Sequence, residues 1–213
     1  LEIDPLIFGL IHKYLPGKEF RFLQDNRVNI YHEDGRAYVK TTSKKYDVVI
    51  IDLPNPSTAL MNRLYTKEFF GEASQIMTPE GIISFTITGT ENYIGPELQQ
   101  LLACLKMTLE DVFPEIIVIP GETNVFLASK KEGILSYDYS LLIERLKRRK
   151  VKTTFIREYY LPYRMSKGRI SYLLDTLSRS EQIKLNTDFS PIAYLYEIIF
   201  WSTYFPGTIQ HWI

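Results

Sequence analysis

The chain has 213 residues, with 25 Lys+Arg against 25 Asp+Glu, 45% apolar residues and 14% aromatic ones. That apolar content and zero formal charge exclude a disordered chain, and they argue against a general nucleic-acid binder, whose affinity comes largely from neutralising phosphates. One cysteine, Cys104, excludes a disulfide scaffold and an all-cysteine metal cage and fits a reducing compartment. The length suits one large domain, or a domain with an appendage.

The segment Leu1-Glu2-Ile3-Asp4-Pro5 has no basic flank and meets acids at once, unlike a signal peptide. Without an initiating Met it reads as the start of an excised or processed piece. Phe8, Leu10, Ile11 and Leu15 lie at helical spacing, with Pro5 at the opening turn and Pro16-Gly17 as the stop. Val28 to Tyr31 reads as a short strand, and Ala37 to Thr42 as one or two helical turns. Tyr46 to Asp52 is a continuous β-branched run ending on an acid, which predicts a strand buried on both faces. Two prolines make Leu53 to Ser57 a loop.

Thr66 to Met77 predicts a helix, Pro79-Glu80-Gly81 a turn and Gly81 to Thr88 a second buried strand. A helix follows over Leu98 to Asp111, then a hairpin of Glu115 to Ile119 and Asn124 to Ser129 around Pro120-Gly121. This rhythm predicts an α/β fold with an open, mostly parallel sheet and an antiparallel edge hairpin over residues 1–134. Residues 135–213 predict a helical C-terminal appendage. Leu141, Leu142, Arg145, Leu146 and Arg149 keep helical spacing, as do Ile170 to Leu177 and Ile192 to Trp201, the last interrupted by Glu197. No stretch approaches the roughly 20 apolar residues of a membrane helix.

Ligands of open α/β sheets bind beyond the carboxyl ends of the strands. Glu2 and Asp4, Asp34-Gly35, Asp52 through Asn55, and Thr86 to Tyr93 fall there. Each has a structural reading beside the functional one. Glu2 and Asp4 suit a helix N-terminus, and Asp34-Gly35 is a common turn dipeptide. Asp52 is the harder to dismiss, since a carboxylate ending so apolar a strand is costly unless something uses it. Arg145, Lys147, Arg148, Arg149, Lys150 and Lys152 fit either an anionic membrane surface or, preferably, a solvated helix C-terminus. His12, His32 and His211 have no metal-ligand spacing, so neither metal nor role is assigned to them. Tyr159-Tyr160 and the Tyr194, Tyr196, Trp201 and Tyr204 cluster read foremost as packing.

Taken together, these residues resemble the spermidine/spermine synthase family, aminopropyltransferases on a methyltransferase-type, Rossmann-like fold. The matching pieces are Leu1 to Asp4, Asp34 to Tyr38, Tyr46 to Asp52, Leu64 to Phe70, and Met77 to Gly81. Glu91-Asn92-Tyr93, Pro120-Gly121 and Asn186-Thr187-Asp188 are similar to a bacterial branch whose synthase-like domain is joined to transmembrane helices. The resemblance implies that Glu2 binds the ribose hydroxyls of S-adenosylmethionine or its decarboxylated form. It implies that Asp34, with Gly35 behind it, binds the adenine edge, that Asp52 is the catalytic acid, and that Asn55 and Tyr65 line the amine pocket.

It further implies an amine acceptor, no nucleic acid, and transmembrane segments outside this chain. A homodimer and a cytoplasmic location, or the cytoplasmic membrane face within a larger protein, are compatible with it. The family's glycine-rich loop after its first strand is absent, so the chain enters the fold at the second strand. Asn55 stands where the family usually carries a second acid. Losing a charged partner of a buried ammonium costs about 2–5 kcal/mol, so a diamine should bind poorly. A small-molecule methyltransferase and a non-catalytic nucleoside-binding module of a membrane protein are the alternative readings.

Overall fold

The computed structural model describes residues 1–14, 23, 25–154, 156 and 158–205. The expected helix stop at Pro16-Gly17, together with Leu15 and His211, lies outside the described residues. The chain divides into two units, Leu1–Lys44 and Lys45–Ile213.

The first unit carries two short helices. In α1 (Leu6–Tyr14), Asp4 Oδ1 accepts the Leu6 amide at 2.9 Å, so the capping reading of Asp4 holds. Helix α2 (Gly35–Thr41) starts from Asp34, whose carboxylate takes the amides of Arg36 and Ala37. Val28 to Tyr31 joins no ladder, contrary to the strand expected there. Its end instead receives the chain start, the Glu2 amide donating to the Tyr31 carbonyl at 3.0 Å.

The second unit is built on a four-stranded sheet in the order β1-β2-β4-β3. Its strands are β1 (Tyr46–Ile51), β2 (Met77–Thr88), β3 (Glu115–Ile119) and β4 (Thr123–Ser129). The β1–β2 pair is parallel, and β2–β4 and β3–β4 are antiparallel. Among the described residues the sheet is therefore mixed, with less parallel pairing than the sequence predicts. The short β3–β4 turn forces an antiparallel pair, and β4 then lies against β2. The expected turn at Pro79-Glu80-Gly81 falls inside the span of β2. There Tyr46 pairs with Met77 but Val48 with Ile82, so β2 bulges. A Cβ on Gly81 would sit 2.9 Å from that of Met77, so only glycine closes this bend without displacement.

Ile83, Phe85 and Ile87 of β2 and Phe126 and Ala128 of β4 alternate into the core. Phe70, Phe85 and Phe126 stack in series, at 5.7 Å and then 4.9 Å between ring centres. The other expectation for β1 fails. Val48 is 54% and Ile50 71% exposed, because β1 pairs on one side only among the described residues and one of its faces is uncovered.

The helices are α3 (Ala59–Asn62), α4 (Lys67–Gln75), α5 (Pro96–Glu110), α6 (Tyr139–Arg148), α7 (Tyr160–Arg164), α8 (Lys167–Ser178) and α9 (Ile192–Ser202). The apolar stripe Leu98, Leu101, Leu102, Leu105 and Leu109 makes α5 the central helix, and both α8 and α9 pack on it. Arg145, Lys147 and Arg148 occupy the last turn of α6, where cations complement the helix dipole. Lys150 follows with φ 53°, ending the helix in a left-handed turn usually given to glycine. Among the described residues no helix is long and apolar enough to cross a membrane.

Candidate active site

Asp52 follows the last residue of β1 and is exposed. No described group hydrogen-bonds its carboxylate. The cost expected from burial is therefore absent, and the group stands solvated at the carboxyl end of a parallel strand.

The loop behind it is fixed from three sides. Asn55 Oδ1 accepts from the Thr88 amide at 3.0 Å and from its hydroxyl at 3.3 Å, which ties the loop to the end of β2. Asn55 Nδ2 donates to both carboxylate oxygens of Glu197 on α9, at 3.1 and 3.0 Å. The Tyr65 hydroxyl donates to the carbonyl of Pro54 at 2.9 Å and lies 3.3 Å from that of Leu53. Tyr65 has no exposed surface and meets Phe85 edge-on at 5.3 Å. It therefore props the loop from below rather than offering its hydroxyl to a pocket. Burial, and then the negative charges of Asp52 and Glu197, push its phenol well above the ordinary value.

Glu197 is 6% exposed on an otherwise apolar helix. Desolvation raises its pKa, and the Asn55 hydrogen bond opposes that only in part. Helix α9 is held over this region by the fully buried Asn186. Its Nδ2 donates to the Tyr65 carbonyl at 2.9 Å, and its Oδ1 accepts the Ala193 amide at 3.1 Å. Its own amide donates to Thr108 Oγ1 at 3.0 Å, and its carbonyl accepts the Lys67 amide at 2.8 Å. The Thr66 hydroxyl, which caps α4, reaches Asp188 at 2.7 Å.

Beyond β2, the Gly89 amide donates to the Glu122 carbonyl at 2.7 Å. A Cβ there would lie 2.1 Å from the Gly121 oxygen, so glycine is required. Glu91 accepts from the Tyr163 hydroxyl at 2.9 Å and from Arg169 at 3.4 Å, and both hold its pKa below the usual carboxylate value. Cys104 is buried on α5 and its thiol is pushed up to about 12 by burial, which leaves it unreactive.

In the first unit, Glu2 Oε1 accepts the Asp4 amide at 2.9 Å. The Glu2 carbonyl lies 3.3 Å from His32 Nδ1. Asp34 Oδ1 takes the Arg36 and Ala37 amides at 3.1 and 3.0 Å. Gly35 has ordinary room: a Cβ there would touch Leu1 at 3.9 Å.

Of the six residues singled out in the sequence, Asp52, Asn55 and Tyr65 thus gather around one loop of the second unit. Glu2, Asp34 and Gly35 belong to the first. Sequence reasoning placed Thr88 within the strand-end stretch Thr86 to Tyr93 but missed its bonds to Asn55, the anchoring by Asn186 and, above all, Glu197. The signal for Glu197 was present as the single charge inside an apolar helix.

The family described as the Spermine/spermidine synthase domain matches residues 1–132. A polyamine aminopropyltransferase of Pyrobaculum calidifontis is 32% identical over 162 residues, 73% of this chain and 56% of the relative. The chain thus spans about half the length of that relative. The spermidine synthase structure of Thermotoga maritima superposes with a TM-score of 0.60 at 20% identity, over 84% of this chain and 59% of that one. Human methyltransferase-like protein 13, in complex with SAH, gives a TM-score of 0.54 at 18% identity, over 75% and 73% of the two chains. These two likenesses place the fold among the Rossmann-like α/β proteins of synthase and methyltransferase type.

Proposed function

We propose that this chain, which belongs to the spermine/spermidine synthase family, takes part in moving an aminopropyl group from decarboxylated S-adenosylmethionine to an amine. The observation that carries this reading is Asp52, a solvated carboxylate at the end of β1 beside a loop fixed by Asn55 and Tyr65. The names of the relatives support the same chemistry.

A sulfonium is an activated leaving group, so the reaction needs a neutral amine held in line with the carbon beside sulfur. The amine nitrogen forms the new C–N bond, the C–S bond breaks with its electron pair going to sulfur, and a neutral thioether nucleoside departs. The acceptor enters largely as an ammonium, because an alkylamine has a pKa of about 10.4. Asp52 binds that cation by charge and receives the proton that must leave before or during attack. The rigid loop fixes where the carboxylate meets the amine. Glu2 supplies a ribose-binding carboxylate on this reading: its Oε2 has no partner among the described residues. Asp34 and Gly35 take the adenine edge.

Asp52→Asn in the full chain tests the role of the base. Turnover should fall on the order of 10²–10⁴-fold while nucleoside binding, measured by calorimetry, is retained. Unchanged turnover would remove Asp52 from the mechanism. Mass spectrometry of the product separates an added aminopropyl group from an added methyl.

A further inference from the structure

We propose that Glu197 is the second acceptor-binding carboxylate of this site. Carried on α9, it supplies the charge that the loop after Asp52 lacks, and it selects an acceptor with a second cationic group beyond the attacking amine. The inference deepens the aminopropyl-transfer reading and rests on it.

The first argument is the environment of Glu197. It is 6% exposed, and both its oxygens accept from one neutral amide, Asn55 Nδ2, at 3.1 and 3.0 Å. Among the described residues no lysine or arginine pairs with it. A buried carboxylate without a cation is costly, and each of its oxygens keeps a lone pair for another donor.

The second argument is the orientation of Asn55. The Thr88 amide can only donate, so the Asn55 atom 3.0 Å from it must be oxygen. The NH₂ is then directed at Glu197, which can accept. An aspartate at position 55 could still accept from Thr88, but it would set two carboxylates face to face. Positions 55 and 197 therefore read as a pair in which one negative charge has moved from the loop to the helix. The weak diamine binding expected from Asn55 alone is reversed on this reading.

Two further observations agree. Asp52 and Glu197 both act on the Tyr65 phenol, which is anchored at Leu53 and Pro54, so both acids border the same loop. Helix α3 packs on α9 and carries Asn62, 2% exposed, whose Oδ1 has no hydrogen-bond partner among the described residues. It is a second buried acceptor with capacity to spare, accepting from no described group, on a helix that packs against α9.

The test is calorimetric binding of 1,4-diaminobutane and of butylamine to the full chain, to Glu197→Gln and to the exchange variant Asn55→Asp/Glu197→Gln. The diamine should bind wild type more tightly than the monoamine. Glu197→Gln should lose on the order of tenfold or more in diamine affinity with little change for butylamine, and the exchange should recover most of the loss. Equal diamine binding by wild type and Glu197→Gln overturns the proposal. So does an equal loss for both amines, which marks a structural role, or a loss the exchange leaves uncorrected. Diamine binding without aminopropyl product from wild type would refute the transfer reading and leave this one standing. Product formation with diamine binding unaltered in Glu197→Gln would do the reverse.

Discussion

In the first unit the candidate nucleoside-binding carboxylates make short-range bonds. Glu2 accepts from the amide two residues on, and Asp34 from the amides two and three residues on. Leu1, Ile3, Leu6, Leu10 and Tyr14 of that unit are exposed. In the second unit the bonds around the candidate amine site span the chain. Asn55 reaches Glu197 across 142 positions, and Asn186 reaches Tyr65 across 121. The stacked rings of Phe70, Phe85 and Phe126 lie in the same unit. One side of the proposed reaction is thus formed by local turns, the other by tertiary packing, and damage should act on them differently.

The largest difference should come from the core. Phe126→Ala should cost about 3–5 kcal/mol in urea unfolding, whereas Ile3→Ser, on the exposed face of the first unit, should stay within about 0.5 kcal/mol. Equal losses would mean that the first unit buries more than its exposure indicates. Asn186→Ala comes next. It strips partners from the Tyr65 carbonyl and the Ala193 amide, about 1–3 kcal/mol for each buried group left unpaired. Amine affinity should fall with it while nucleoside affinity is retained.

A smaller effect should appear with pH. The folded-state pKa of Glu197 is raised by burial, with the Asn55 hydrogen bond opposing the rise and the Tyr65 phenol within reach of its charge, as of that of Asp52. Stability linked to a raised carboxylate is complete below its unfolded pKa and is lost as pH rises through the folded one. The midpoint of Glu197→Gln relative to wild type should therefore climb as pH rises above the ordinary glutamate pKa of about 4.3. A cationic amine should shrink that climb, and a flat difference would show that Glu197 titrates normally. The smallest stability change belongs to Asp34→Ser, since serine keeps the cap of α2 and should cost only a few tenths of a kcal/mol. Loss of nucleoside affinity in that variant would show the Asp34 carboxylate serving a ligand as well as a helix.

This contrast also explains what the sequence made legible. Caps and turns act within a few residues, so Asp4 could be read directly as a helix starter, whereas Asp34-Gly35 read as a turn and Asp34 in fact caps α2. Alternation and β-branched runs located β1, β2 and the hairpin. The burial of β1 could not be read, because Val48 and Ile50 look the same whether or not something covers them. Lys150 ends α6 in a conformation that no residue-type signal announces. Glu197 was visible only as an interruption in an apolar helix. Its meaning depends on Asn55 and Thr88, which only the fold brings to it.

The span of the Asn186 and Glu197 bonds has a consequence for the order in which the protein is made. A chain synthesised from its N-terminus has all four strands of the sheet available once residue 129 has emerged. The loop after Asp52 meets its last partner only when residue 197 follows, so a nascent chain holds its sheet before it holds its amine site. Release of chains cut short before α9 should yield folded sheets that recognise no diamine.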